Sequence, residues 1–157
     1  TDFRTIIYLS ATDQVIELPN IFYDFARWDL RPESMVSLDK LVETLNDNPN
    51  ITIELMSHTD SRGTEQDNII LSQRRAQSVV DYLISKGISA ERLQAKGYGE
   101  AVPKVVDDKT AQEYNFLKVG QTLNETFINS LSTSEQQEKA HQVNRRTEFK
   151  VLRTDFK

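Results

Sequence analysis

Cysteine is absent from the 157 residues, which excludes disulfides, thiolate metal ligands and a cysteine nucleophile, though it leaves the compartment open. Histidine occurs only at His58 and His141, without the close pairing that a zinc site usually shows. No apolar run reaches the roughly 18 residues that a membrane-spanning helix needs. The opening "TDFRTIIYLS" lacks a signal-peptide pattern and reads as the start of an internal segment, so a secretion signal or lipid anchor is expected outside this chain. Basic runs and aromatic–basic interleaving are also missing, and the net charge is −5. That balance argues against nucleic acid as a partner. Repeats and low-complexity tracts are absent.

What is present describes one ordinary globular domain. The apolar share is 38% and the charged share 27%. A chain of this length buries roughly two-thirds of its unfolded surface. "QVIELPNIFYDF" (14–25) is rich in β-formers and broken at Pro19-Asn20, which predicts a strand with a bend or an edge position. In "LRPESMVSLDKLVETLNDNPN", Pro32 fits the first helical position and Glu33 the positive helix start. Met35, Leu38, Leu41, Val42 and Leu45 form the buried stripe, and Asn48-Pro49-Asn50 ends it. "ITIELMS" alternates Ile51, Ile53 and Leu55 against Thr52, Glu54 and Met56, a strand with one strongly apolar face.

The next helix carries two adjacent arginines on different faces. From Ala76, Val79, Val80, Leu83 and Ile84 recur at core-facing helical spacing, and stepping back from Val79 by fours lands on Arg75 and Leu71. Arg74 shares its face with Ser78, Asp81, Tyr82 and Ser85. Arg74 therefore points to water and Arg75 leans over the core edge, where a guanidinium needs an anion. That anion is either a carboxylate of the same chain or part of a ligand.

"ISAERLQAKGYGE" predicts a turn of helix and a strand ending in Gly97 and Gly99, the glycines reading as a tight turn rather than a phosphate cradle. "RTEFKVL" (146–152) supplies a last strand. The stretch 101–143 interrupts this order. "TLNE" (122–125) and "STSE" (132–135) read as capping boxes, the first ahead of Leu123, Phe127, Ile128 and Leu131. One or two inserted helices are expected there. The fold class is α+β: a β-α-β-α-β-β sandwich, two main helices on one face of a mixed sheet, with a helical insertion before the last strand.

Ser57, His58 and Asp60 have the residue types of a hydrolytic triad. Contiguity at a strand end sends alternate side chains in opposite directions, whereas a triad must converge. No catalytic residue, metal ligand or cofactor is assigned. Asp60 differs, because it lies just beyond the Ile51–Ser57 strand in a loop with Gly63 that feeds the helix of Arg75. It is either a turn-forming Asp or one prong of a polar site shared with Arg75. Should a ligand sit between the two prongs, it would offer an ammonium to Asp60 and a carboxylate to Arg75, as an amino-acid zwitterion does.

"HTDSRGTEQDNIILSQRRAQSVVDYLISKGI", "RLQAKGYGE" and "NRRTEF" together resemble the OmpA-like peptidoglycan-binding domain shared by OmpA, Pal and MotB. The matching pattern is Thr59-Asp60, Gly63, Asn68, Leu71-Ser72, Arg75-Ala76, Gly97 to Glu100 and Asn144 to Arg146. "IFYDFARWDLRPES" resembles the family's first strand and helix entry. The resemblance spans residues 14–152 apart from the insertion, leaving 1–13 as an N-terminal extension and 153–157 as a tail. It implies non-catalytic binding of the peptidoglycan peptide stem, Asp60 gripping the ammonium and Arg75 the carboxylate of meso-diaminopimelate. Thr59, Asn68 and Leu71 take further contact positions. Tyr23 and Asp24 line the groove at the end of the first strand, and Arg145 supports the pocket. The implied setting is periplasmic and outer-membrane-associated, with peptidoglycan and envelope or secretion-complex proteins as partners. Ser57 stands for the family's usual Gly and Asp67 for its common Tyr. "FLKVGQTLNETFINSL" and "QQEKAHQVNRRTEF" further resemble C-terminal domains of large Bacteroidota envelope proteins, including a type IX secretion component. The rival reading is a protein-interaction module using the inserted helices. All the matching motifs lie outside 104–142, so that stretch is expected to be dispensable for wall binding.

Overall fold

A computed structural model describes residues 15–157 except Phe25. The 1–13 extension and Gln14 lie outside the described residues. The first strand, β1 (Val15–Leu18), alternates exposed and buried residues and stops before Pro19, where the chain turns with Asn20 at φ 60°. The strand expected to reach residue 25 is thus cut short. A proline has no N–H to give a ladder, and 21–24 run on without strand pairing.

Helix α1 (Ser34–Asp47) buries Leu38, Leu41 and Leu45 completely, while Met35 and Val42 are half-buried. Pro32 and Glu33 form a turn ahead of the helix and are not its first residues. The N–H groups of Ser34 and Met35 donate to the carbonyls of Arg31 and Pro32. Strand β2 (Thr52–His58) follows, and every residue in it is buried. The expected single apolar face is therefore only half the description.

Helix α2 (Glu65–Ser85) starts at Thr64, whose side chain accepts the Asp67 N–H. Its buried positions include Arg75, Ala76, Val79, Val80 and Leu83, as the periodicity predicts, but Ile84 is exposed. A short 3-10 turn (90–92) leads into β3 (Leu93–Gly99). Three short helices follow: α3 (Asp108–Glu113), α4 (Glu125–Asn129) and α5 (Ser134–Asn144). Strand β4 (Arg146–Arg153) ends the fold.

The sheet order is β1-β4-β2-β3, with β4 antiparallel to both neighbours and β2 parallel to β3. Both main helices pack on one sheet face, where Ile16, Leu18, Ile53, Leu55, Phe149 and Val151 meet the apolar stripes of α1 and α2. Polar residues fill the other face. His58 Nε2 lies 2.7 Å from Glu148 Oε1, the His58 ring stacks on Tyr98, and the Tyr98 hydroxyl donates to Glu54 at 2.6 Å. The insertion closes its own small core around Val106, Leu117, Leu123, Ile128 and Ala140.

Contact between α2 and β3 explains the Gly-Tyr-Gly segment. A Cβ on Gly97 would overlap the Gln73 backbone nitrogen and the Ser72 hydroxyl. The helix also serves the edge strand, since Gly97 N–H donates to Gln73 Oε1 at 2.8 Å and Gly99 N–H to Ser72 Oγ at 2.9 Å. Backbone groups that a free edge would expose are thereby paired.

Candidate ligand-binding cleft

The end of β2, the loop after it, the start of β4, and one side each of α2 and α5 enclose a cleft of about 920 Å³. Residues 59–63 make the turn that positions its acid. Thr59 N–H donates to Gly99 O at 2.9 Å and the Thr59 hydroxyl to Asp60 O at 3.0 Å. Gly63 takes φ 88°, a left-handed backbone that other L residues adopt at a cost. The Asn68 amide, reaching back from α2, donates to the carbonyls of Asp60 (3.3 Å) and Arg62 (3.0 Å). Asn68 and Thr59 thus shape the loop from behind.

The Asp60 carboxylate is nearly buried and heavily used. Its Oδ1 accepts the Arg62 N–H at 2.9 Å, and its Oδ2 accepts from Arg62 Nη2 at 2.8 Å and Arg145 Nη1 at 2.6 Å. Burial opposes its ionisation, but hydrogen bonds from Arg62 and Arg145 outweigh burial and bring the pKa down to about 2. Asp60 is a fixed anion at neutral pH.

Arg75 is buried, as its helical face predicts, yet among the described residues no carboxylate pairs with it. Its Nε donates to Arg27 O at 2.8 Å and one Nη2 hydrogen reaches Asp24 O at 3.4 Å. The guanidinium lies 4.6 Å from the centre of the Tyr23 ring, and the Tyr23 hydroxyl donates to Arg75 O at 3.2 Å. Burial is the main influence on Arg75 and lowers its pKa below the ordinary arginine value. Burial also pushes Tyr23 up to about 12, so its hydroxyl stays protonated. Asp60 and Arg75 face the same cleft without bonding to each other.

Leu71, Asn68, Thr59, Tyr23 and Arg145 all line the cleft with them. Asp24 does not bring its side chain there. Its carboxylate turns outward to Arg31, and only its backbone carbonyl meets Arg75. Arg74 is exposed and lies over the Trp28 ring at 4.5 Å. Ser57 and His58 do not form a relay with Asp60, because His58 Nε2 faces Glu148. No cluster of three or more metal-ligating side chains occurs among the described residues.

Two participants escape a reading of the sequence. Arg62 bridges Asp60 to Glu138 of α5, with Nη1 donating to Glu138 Oε2 at 2.7 Å. Glu138 also accepts from Arg145 Nη2 at 3.3 Å, and Gln142 lines the same wall. The insertion therefore lines part of the cleft, although the matching motifs all lie outside 104–142. Five arginines and three acids line the cleft on a chain of net charge −5. The arrangement concentrates positive potential around one buried anion, which suits a ligand carrying both charges.

Two main helices on one face of a four-stranded mixed sheet, with a helical insertion, make an α+β domain. The chain belongs to the OmpA family, whose model matches residues 22–116. Outer membrane protein A of Escherichia fergusonii is 42% identical over 86 residues, 54% of this chain and 35% of that protein. The Salmonella typhi counterpart is 40% identical over the same share of this chain and 25% of its own length. The chain thus spans about a quarter to a third of these relatives. The fold is shared with the cell wall anchor of the T6SS from Pseudomonas aeruginosa (TM-score 0.58, 22% identity, 88% of this chain and 79% of that one). It is shared too with the peptidoglycan-associated lipoprotein from Burkholderia pseudomallei (TM-score 0.56, 18% identity, 89% of each chain). The periplasmic domain of Helicobacter pylori MotB aligns at TM-score 0.60 and 16% identity, over 92% of this chain and 77% of that one.

Proposed function

We propose that this domain is a non-catalytic anchor that grips the peptide stem of peptidoglycan at the free end of meso-diaminopimelate. Asp60 takes the ammonium and Arg75 the carboxylate. The observation that carries the reading is the state of Arg75. It is a buried guanidinium whose Nη1 hydrogens meet no acceptor among the described residues, beside an open cleft. A carboxylate is the ligand group that matches its planar fork. The fixed negative charge of Asp60 across the same cleft supplies the complementary half. Family membership and the fold shared with a cell wall anchor and a peptidoglycan-associated lipoprotein support the same ligand. The parent protein would then work in the periplasm, holding an outer-membrane or secretion assembly to the wall.

A lysine-type stem offers an ammonium alone, so it satisfies Asp60 and leaves Arg75 desolvated without an anion. That failure costs more than the missing bond. Calorimetric titration of both stem peptides is expected to favour the diaminopimelate stem at least tenfold, about 1.4 kcal/mol. Co-sedimentation with purified sacculi should accompany it. Equal affinity for the two stems would remove the assigned role of Arg75.

A further inference from the structure

We propose that Arg62 is a displaceable latch on Asp60 and that Glu138, from the inserted helix α5, is the post that retains it when the ligand enters. This deepens the reading above and rests on it. Asp60 already carries three hydrogen bonds, two from guanidinium groups. A ligand ammonium brings three more donors and a further positive charge to a carboxylate with about four acceptor sites. Two guanidiniums and an ammonium on one nearly buried carboxylate crowd like charges around its two oxygens. One arginine must give way.

Arg62 is the one free to move. Its side chain is 51% exposed against 31% for Arg145, and it stands next to the glycine of the loop. Arg145 sits where α5 passes into β4, tied to both elements by the chain. Both arginines bridge Asp60 and Glu138, but Arg62 holds Glu138 at 2.7 Å with Nη1 whereas Arg145 reaches it only at 3.3 Å. Letting go of Asp60 therefore breaks one charge-assisted bond while the other still anchors the group. The Arg62 backbone N–H can stay on Oδ1 throughout, so the loop need not move.

The consequence is an affinity threshold. Every ligand must displace Arg62 from Asp60 at the same cost, and one that also neutralises Arg75 recovers more of it than a simple amine. Glu138 sets how easily the latch lifts. Without Glu138, Arg62 has only Asp60 to hold and releases it less readily.

Titrating the diaminopimelate stem and the lysine stem into wild type, Arg62→Gln, Glu138→Gln and the double variant tests this. All substituted side chains are half-exposed, and thermal unfolding checks that each variant is folded. Arg62→Gln is expected to bind both stems at least threefold tighter and by a similar factor, leaving the preference between them in place. Glu138→Gln should weaken binding at least threefold alone and have less than a twofold effect in the Arg62→Gln background. Binding by Arg62→Gln where wild type is silent supports the latch outright. Unchanged or weaker binding by folded Arg62→Gln overturns the latch but leaves the ligand assignment standing. Additive effects of the two substitutions do the same, since independent charges add and a latch does not. No binding by any variant removes the latch and the peptidoglycan reading together.

Discussion

Substituting methionine for Arg75 separates a residue kept for a ligand from one kept for the fold, because the molecule contains an internal control. Arg92 is also buried and, among the described residues, also lacks a carboxylate partner. Its Nε donates to Ile51 O at 3.0 Å, and its Nη2 donates to Leu45 O at 2.9 Å and Asn48 O at 2.7 Å. Two of those carbonyls belong to the C-terminal end of α1, where a helix concentrates negative partial charge. Arg92 thus spends three of its five N–H donors on tying the end of α1 to the segment that leads into β2. Arg75 has one good carbonyl bond and one long one. Removing its head loses about 1–2 kcal/mol of hydrogen bonding and ring contact. The change also removes a desolvation cost of several kcal/mol, and methionine keeps much of the packed stem. Folding stability of Arg75→Met is therefore expected within about 1 kcal/mol of wild type or above it, a Tm change of roughly 3 °C at most on the unfavourable side. Arg92→Met should lose about 2–4 kcal/mol by leaving three carbonyls unpaired. Binding of the diaminopimelate stem by Arg75→Met should fall by about 1.5–3 kcal/mol, roughly ten- to hundredfold. Scanning calorimetry of both variants with one titration decides the matter. A Tm loss for Arg75→Met as large as that for Arg92→Met would make Arg75 a structural peg, and unchanged affinity would remove the carboxylate grip.

Two further outcomes test the fold. Burial opposes ionisation of Glu148, yet the His58 hydrogen bond and the Arg146 charge hold its pKa at about 2. Its contribution is present above the ordinary glutamate value and lost as pH falls towards 2. Denaturant titrations from pH 6 to 2 should show Glu148→Gln with a flatter acid decline than wild type, by up to about 3 kcal/mol; parallel declines would refute the pairing. Gly97→Ala should cost at least about 2 kcal/mol because the new methyl strikes the backbone of α2. Gly87→Ala, strained at φ 99° but facing open space, should cost only about 1 kcal/mol. Equal Tm losses would mean that α2 and β3 can part cheaply.

Much of the arrangement was legible from periodicity. The 3.6-residue rhythm of α2 separates the exposed Arg74 from the buried Arg75, although both border the cleft. The order of elements and the α+β class follow from alternating patterns that local chemistry enforces. Cap positions were less legible, because several residues near each helix start can serve. Asn124 and Thr133 cap α4 and α5, not Thr122 and Ser132, and α3 begins behind an Asp107 cap with too few apolar residues to show a stripe. Strand β2 reads as one-faced because alternation reports hydrophobicity, whereas its second face is buried through hydrogen bonds and stacking. Arg62 and Glu138 were invisible for a plainer reason. They are 76 positions apart, and each taken alone reads as a solvated charge.

The strand that ends the sequence lies inside the sheet, between β1 and β2. Until β4 arrives, β1 has no neighbour to pair with among the described strands, and β2 presents a bare edge on that side. Arg145, which clasps Asp60, immediately precedes β4, so the final stretch of chain completes the sheet and the pocket in the same event. A chain cut off before residue 145 would lose both together. The central strand of the sheet and the clasp on Asp60 are thus encoded side by side, and neither can form without the other's stretch of sequence.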